Sequence, residues 1–182
     1  RPAYRQIYYR DRATGGGAIQ DALTHLVNAA EWIIGPVTWV AADASHKILD
    51  GVDVEDTVNA IARHGDVMAS YSLNQHQAPN ETSITVVAER GTLRFEVQNT
   101  RWRWMKEPGD AWHDENFGPL ERDDWFIFQE RAFLDALERR CAPLCSLEEG
   151  LQTLRVNQAM LQSAAQGSSV IAIEGATRKV SA

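Results

Sequence analysis

Cysteine is scarce in this chain: two residues, Cys141 and Cys145, among 182. A disulfide across CAPLC would close a very short loop, and no neighbouring His or Cys completes a zinc site. Two reduced, partly packed loop thiols are the expectation, as in a cytosolic protein. Long apolar runs are also missing, because Glu31 interrupts the richest region and Asp43 closes it, short of the ~20 residues that span a bilayer. The opening RPAYRQIYYRDR lacks the apolar centre of a signal peptide. Positive charge is in deficit, with 18 Lys and Arg against 25 Asp and Glu and a net charge of −7. That balance argues against nucleic acid and against an anionic membrane as partners. Finally, there is no strand-GxGxxG-helix unit, no HExxH or DxDxDG pattern, no internal repeat and no Gly/Ser linker, so neither a nucleotide site nor a metal site is expected within the chain.

What is present suits one globular unit over residues 1–182, a length that buries roughly 70% of its unfolded surface. The chain begins with Arg rather than Met, which reads as a piece of a longer protein. Its most organised stretch is GGGAIQDALTHLVNAAEWIIGP, residues 15–36. Ile19, Leu23, Leu26, Val27, Ala30 and Ile34 recur at helical spacing, and Gly35-Pro36 stops the pattern. At about 100° per residue, Asp21, His25, Asn28 and Trp32 share one stripe with Thr24 beside it. Three readings of Asp21 and His25 arise on spacing alone, of which a metal site lacks a third ligand and the other two stay open. They are an i,i+4 polar pair on a solvated face, or a general base with its carboxylate partner, since an imidazole titrates near pH ~6.5 and a carboxylate favours its protonated form.

Beyond the helix, residues 37–48 read as a strand, residues 57–74 as a hairpin turning at His64-Gly65-Asp66, and residues 83–98 as a second hairpin around Arg90-Gly91. RWRWM follows as a further strand, its period-2 alternation favouring packed tryptophans over a nucleic-acid stacking platform. Together these predict about five strands in one largely antiparallel sheet with one apolar face. Residues 106–119, including His113, read as a polar loop or lid. Two closing helices are expected over residues 122–139 and from Ser146, which forms a capping box with Glu149, to Gly167, followed by a short strand over 170–173.

The GGG-x(3)-D-x(3)-H helix, the ERGTLRFE hairpin and FLDALERRCAPLCSLEEGLQTLRVNQAMLQSA, in that order, resemble the C-terminal domain of the Gfo/Idh/MocA family of NAD(P)-dependent sugar and polyol oxidoreductases. The resemblance implies an α+β fold, an open and mostly antiparallel sheet with helices packed on one face, of the glucose-fructose oxidoreductase type. It implies a substrate-binding and oligomerisation domain whose sheet face pairs with another subunit in a homodimer or homotetramer. NAD or NADP would be bound mainly by an N-terminal Rossmann domain absent from this chain, leaving the fragment inactive alone. The family equivalents of Asp21 and His25 lie beside the substrate hydroxyl that loses its proton, usually with a lysine from the nucleotide domain. Asn28 stands where many relatives carry an aspartate. Outward from that pair, Tyr4, Arg5, Arg12 and His76 are candidate substrate ligands, and Gly16 is expected near the nicotinamide. A cytoplasmic location is expected. The rival reading is a non-catalytic module that dimerises or binds sugar without turning it over.

Overall fold

The computed structural model describes residues 8–175, with only the backbone of Arg122. Tyr4 and Arg5 lie outside the described residues. Helix α1 (Thr24–Ile34) is followed by strands β1 (Trp39–Ser45), β2 (Thr57–His64), β3 (Val67–Asn74), β4 (Ser83–Ala88), β5 (Gly91–Glu96), β6 (Arg101–Met105) and β7 (His113–Asn116). Helices α2 (Arg122–Leu137) and α3 (Leu147–Ala165) and strand β8 (Ile171–Ala172) complete the order. The fold is α+β and every strand pair is antiparallel.

The strands divide into two four-stranded sheets, β3-β2-β1-β8 and β4-β5-β6-β7, where one sheet of about five was expected. Alternation marks a residue as extended but does not name its neighbour, so the division between sheets is invisible to it. The chain accordingly forms two compact units, the first drawn from residues 1–76 and 145–182, the second from residues 77–144.

In the first unit, β2 turns its even positions inward. Val58, Ala60 and Ala62 are buried, while Asn59 and Ile61 face out. They meet Val40 and Ala42 of β1, Val27 and Ala30 of α1, and Val156 and Met160 of α3 in one core. Each fully buried Val or Met contributes roughly 1.5–3 kcal/mol. Helix α3 packs on β1 and is pinned there by Ser163, whose Oγ accepts from the Ala42 N–H at 2.8 Å and donates to the Ser169 carbonyl at 2.6 Å. The Ser146 capping box forms as the sequence indicates, with Glu149 N–H donating to Ser146 Oγ and Ser146 N–H to Glu149 Oε2.

The second unit departs from expectation in two places. The predicted loop over 106–119 contains β7, held beside β6 because Asp114 accepts from both Arg101 and Arg103. The apolar residues of α2 do not form a core. Phe126, Phe133 and Leu137 are 60%, 65% and 68% exposed. Trp102 stacks on Phe95 at 4.5 Å and Trp104 on His113 at 5.6 Å, which accounts for their half-burial. Both cysteines are free, as expected, but exposed rather than partly packed. No helix among the described residues is long and apolar enough to cross a membrane.

Candidate functional site

Three consecutive glycines make the chain's approach to α1. Gly15 takes the left-handed φ of +87° after a short turn at Arg12–Thr14. At Gly16 a Cβ would stand 2.2 Å from the Tyr9 carbonyl oxygen, and at Gly17, φ +105°, it would stand 2.5 Å from Oε1 of Glu55. Gly16 and Gly17 thus lie against their own chain, whereas a Cβ at Gly15, which borders the cleft described below, would meet nothing within 4 Å. Gly16, the position expected near the nicotinamide, is buried by this backbone approach. No strand leads into the glycines among the described residues, so the strand-turn-helix unit that cradles a dinucleotide is not formed here.

The helix itself begins differently from the uniform α-helix expected. Ala18–Leu23 forms a π-helical turn, and the Thr24 N–H still reaches the Ile19 carbonyl before α1 proper begins. A π turn takes an extra residue per ring and so re-aims the side chains around it. Its N-terminal donors have no cap from the local chain. Glu55 supplies one from 36 residues away: its backbone carbonyl accepts from the Ala18 N–H at 2.9 Å and its Oε1 from the Ile19 N–H at 3.2 Å. Its Oε2 accepts from Arg12 at 2.8 Å. Arg12, a candidate substrate ligand, is thus engaged in holding the glycine turn.

Asp21 sits in the π turn, where its Oδ1 accepts a 2.6 Å hydrogen bond from the Tyr8 hydroxyl. His25 is exposed on the first turn of α1 and lines a cleft of about 420 Å³ with Thr24 and Asn28 beside it. Trp32, the fourth member of the predicted stripe, is 72% exposed and is not among the residues lining the cleft. The opposite wall comes from α3, through Thr153 and Asn157. Asn157 Nδ2 donates to Thr24 Oγ1 at 2.8 Å, and Asn28 Nδ2 to Thr153 Oγ1 at 3.1 Å. Thr153 donates in turn to Glu31 Oε2 at 2.7 Å, and Gln152 donates to Glu31 Oε1, so Glu31 ties the two helices together. No part of the sequence announced the α3 wall, because its polar residues fall on what reads as a core helix.

His76 lies elsewhere in this unit, at the end of β3. Its Nε2 is 3.7 Å from Asp56 Oδ2 and has no hydrogen-bond partner among the described residues. Asp56 is fully buried and its carboxyl is lowered to about 2. Burial pushes it up, but the N–H donors of Leu49, Ile48 and Lys47 and the Thr57 hydroxyl outweigh that. Nearby, Tyr9 donates to Gln75 Oε1 at 2.5 Å, and burial raises its phenol well above the ordinary range.

An antiparallel sheet backed by two helices that share a polar cleft makes an α+β unit, with none of the parallel βαβ units of a nucleotide fold among the described residues. The chain belongs to the GFO/IDH/MocA C-terminal domain family, whose model matches residues 1–94. Its fold is shared with levoglucosan dehydrogenase in complex with NADH and levoglucosan, at 18% identity and TM-score 0.80, over 92% of this chain and 53% of that one. The WlbA dehydrogenase from Bordetella pertussis, in complex with NADH and UDP-GlcNAcA, is 26% identical with TM-score 0.69, over 92% and 52% of the respective chains. An oxidoreductase domain protein from Kribbella flavida is 17% identical with TM-score 0.81, over 91% and 52%. The chain thus spans about half the length of these solved relatives. No curated protein matches it.

Proposed function

We propose that residues 1–182 form the substrate-binding and oligomerisation domain of an NAD(P)-dependent oxidoreductase that acts on a secondary alcohol of a sugar or polyol. The observation that carries the reading is His25, exposed in a cleft whose flanking side chains are hydroxyls and amides. Oxidising a secondary alcohol requires an acceptor for the hydroxyl proton, and an imidazole reached by solvent does that work near neutral pH. Asp21, steadied by Tyr8 one turn earlier, is the acidic partner in the proposal. The cofactor would be held by residues outside this chain, since no strand leads into the glycine turn among the described residues. Association through the second unit's sheet draws support from Leu93, 38% exposed, which the strand register places on one face with Val86 and Trp104.

The test is His25→Ala in the full protein, assayed over a panel of sugars and polyols with NAD and with NADP. Loss of a general base lowers kcat by about 10² to 10⁴-fold. An unchanged kcat, where chemistry limits turnover, removes His25 from the role and leaves the binding module as the better description.

A further inference from the structure

Asn28 stands one turn past His25 on α1 and lines the same cleft. Hydrogen-bond polarity, rather than shape, settles which way its amide faces. Glu31 Oε1 accepts from the Val37 N–H at 3.1 Å and from Gln152 Nε2 at 3.0 Å, and a carboxylate has no proton to give. The Thr153 hydroxyl, 2.7 Å from Glu31 Oε2, therefore directs its one proton there. Thr153 Oγ1 is left with lone pairs only, so the group of Asn28 that faces it at 3.1 Å has to be the N–H2. Cys145 obeys the same rule, with its S–H directed to the Ser146 carbonyl at 3.5 Å and its sulfur 4.0 Å from Asn28 Nδ2. Turning the amide over would set oxygen against oxygen. Asn28 Oδ1 is thereby held away from Thr153, where it stays open to solvent and accepts no hydrogen bond among the described residues.

Resting on the reading of His25 above, we infer that Glu31 and Thr153 are positioning residues: they lock the Asn28 amide so that the cleft offers an oxygen acceptor one turn from the proton acceptor. A substrate group that enters beside Asn28 must then donate a hydrogen bond. A carbonyl or carboxylate at that point would meet an oxygen.

A double-mutant cycle in the full protein, followed by urea unfolding, tests the lock without any substrate. In Asn28→Asp a second carboxylate oxygen faces Thr153 while the hydroxyl proton stays on Glu31, and the unfolding constant should rise about 10-fold or more. Adding Glu31→Gln should recover most of that loss, because the new amide gives an N–H to Thr153 and frees the hydroxyl proton for the carboxylate at position 28. Plain repulsion between two carboxylates would also give recovery, so the cycle is repeated in Thr153→Val, where recovery should vanish. Recovery that persists there, or costs that simply add when Thr153 is present, overturns the inference. Turnover separates positioning from a bare structural tie. With D-glucose, D-xylose and myo-inositol and either NAD or NADP, Glu31→Gln loosens the amide and should raise KM about 3- to 10-fold while lowering kcat by less. His25→Ala should lower kcat instead. An unchanged KM in Glu31→Gln overturns the positioning role. If the wild type turns over none of the three, the reading of His25 fails and the positioning role with it, while the stability cycle still decides whether the amide is locked.

Discussion

Gly17 and Glu55 should be coupled energetically, and the geometry gives both the size and the sign. Gly17 has φ +105° and ψ +158°, a conformation occupied almost only by glycine and costing a side-chain-bearing residue about 1–3 kcal/mol. An alanine methyl there also meets Glu55 Oε1 at 2.5 Å, so the carboxylate must move. That side chain is 2% exposed and is bonded to the Ile19 N–H and to Arg12, and displacing it forfeits roughly 1–3 kcal/mol. Gly17→Ala should therefore cost about 2–6 kcal/mol. Glu55→Ala leaves the buried Ile19 N–H without its acceptor and should cost about 2 kcal/mol; the Arg12 contact adds little because Arg12 is 55% exposed. In the double variant the collision is gone while the unfavourable φ remains. Its cost should fall about 1–3 kcal/mol below the sum of the single costs. Urea unfolding of the full chain by far-ultraviolet circular dichroism measures all three. Costs that add to within about 0.5 kcal/mol would refute the idea that Glu55 and Gly17 share this contact.

Asp56→Asn should destabilise the protein by about 2–3 kcal/mol at pH 7, since a buried carboxylate bonded to three backbone donors is replaced by a group that presents its own N–H2 to them. The folded carboxyl lies at about 2, below its ordinary 3.8, so its contribution is complete above about pH 4 and is lost as pH falls through about 2. A wild-type and variant difference in unfolding free energy that stays constant across that window contradicts the assignment. At Gly150, in the first turn of α3, a Cβ meets nothing within 4 Å, so Gly150→Ala should stabilise by roughly 0.5–1 kcal/mol; a lower melting temperature would count against it. His64 is buried with Nδ1 2.6 Å from the Gly35 carbonyl and Nε2 2.7 Å from the Tyr71 hydroxyl. A carbonyl only accepts, so the neutral ring carries its proton on Nδ1 and Tyr71 donates to Nε2; nitrogen-15 shifts reporting the opposite tautomer would break this reading.

Local chemistry was legible in the sequence and long-range chemistry was not. The Ser146 box needs only residues three apart, and it forms as read. The β2-β3 hairpin turns at Gly65-Asp66, with His64 pairing Val67, because its turn and its alternation lie within one stretch of chain. Where the sequence suggested a regular α-helix around Asp21, one π turn intervened, and a single extra residue per ring is too small a phase change to show in apolar spacing. Strand β7 escaped notice because His113, Asp114, Glu115 and Asn116 carry no apolar alternation; what holds it is charge, from Arg101 and Arg103 on β6. Helix α2 has a core-like pattern, yet Phe126 and Phe133 are exposed, since periodicity says which face is apolar and not whether anything covers it. Of the candidate site, His25 and its helix neighbours could be proposed from spacing, whereas the α3 wall depends on two helices more than 100 residues apart in the chain meeting over β1.

The Glu55-Asp56 pair explains how such a site keeps its shape. Glu55 gives its carbonyl to the Ala18 N–H and its carboxylate to the Ile19 N–H and Arg12, so it fixes where the helix of Asp21 and His25 begins. Asp56, next in the chain, gives its carboxylate to residues 47–49 and its carbonyl to the Gln75 N–H, while Gln75 receives the Tyr9 hydroxyl. Two adjacent buried acids thereby anchor the glycine turn, the loop after β1 and the end of β3 from one point at the start of β2. Charged hydrogen bonds are short and directional, and burial strengthens them, so these two acids hold the start of the π turn and of β2 in one geometry. Conservative changes at Glu55 should accordingly disturb the cleft through the π turn, without touching any residue that lines it.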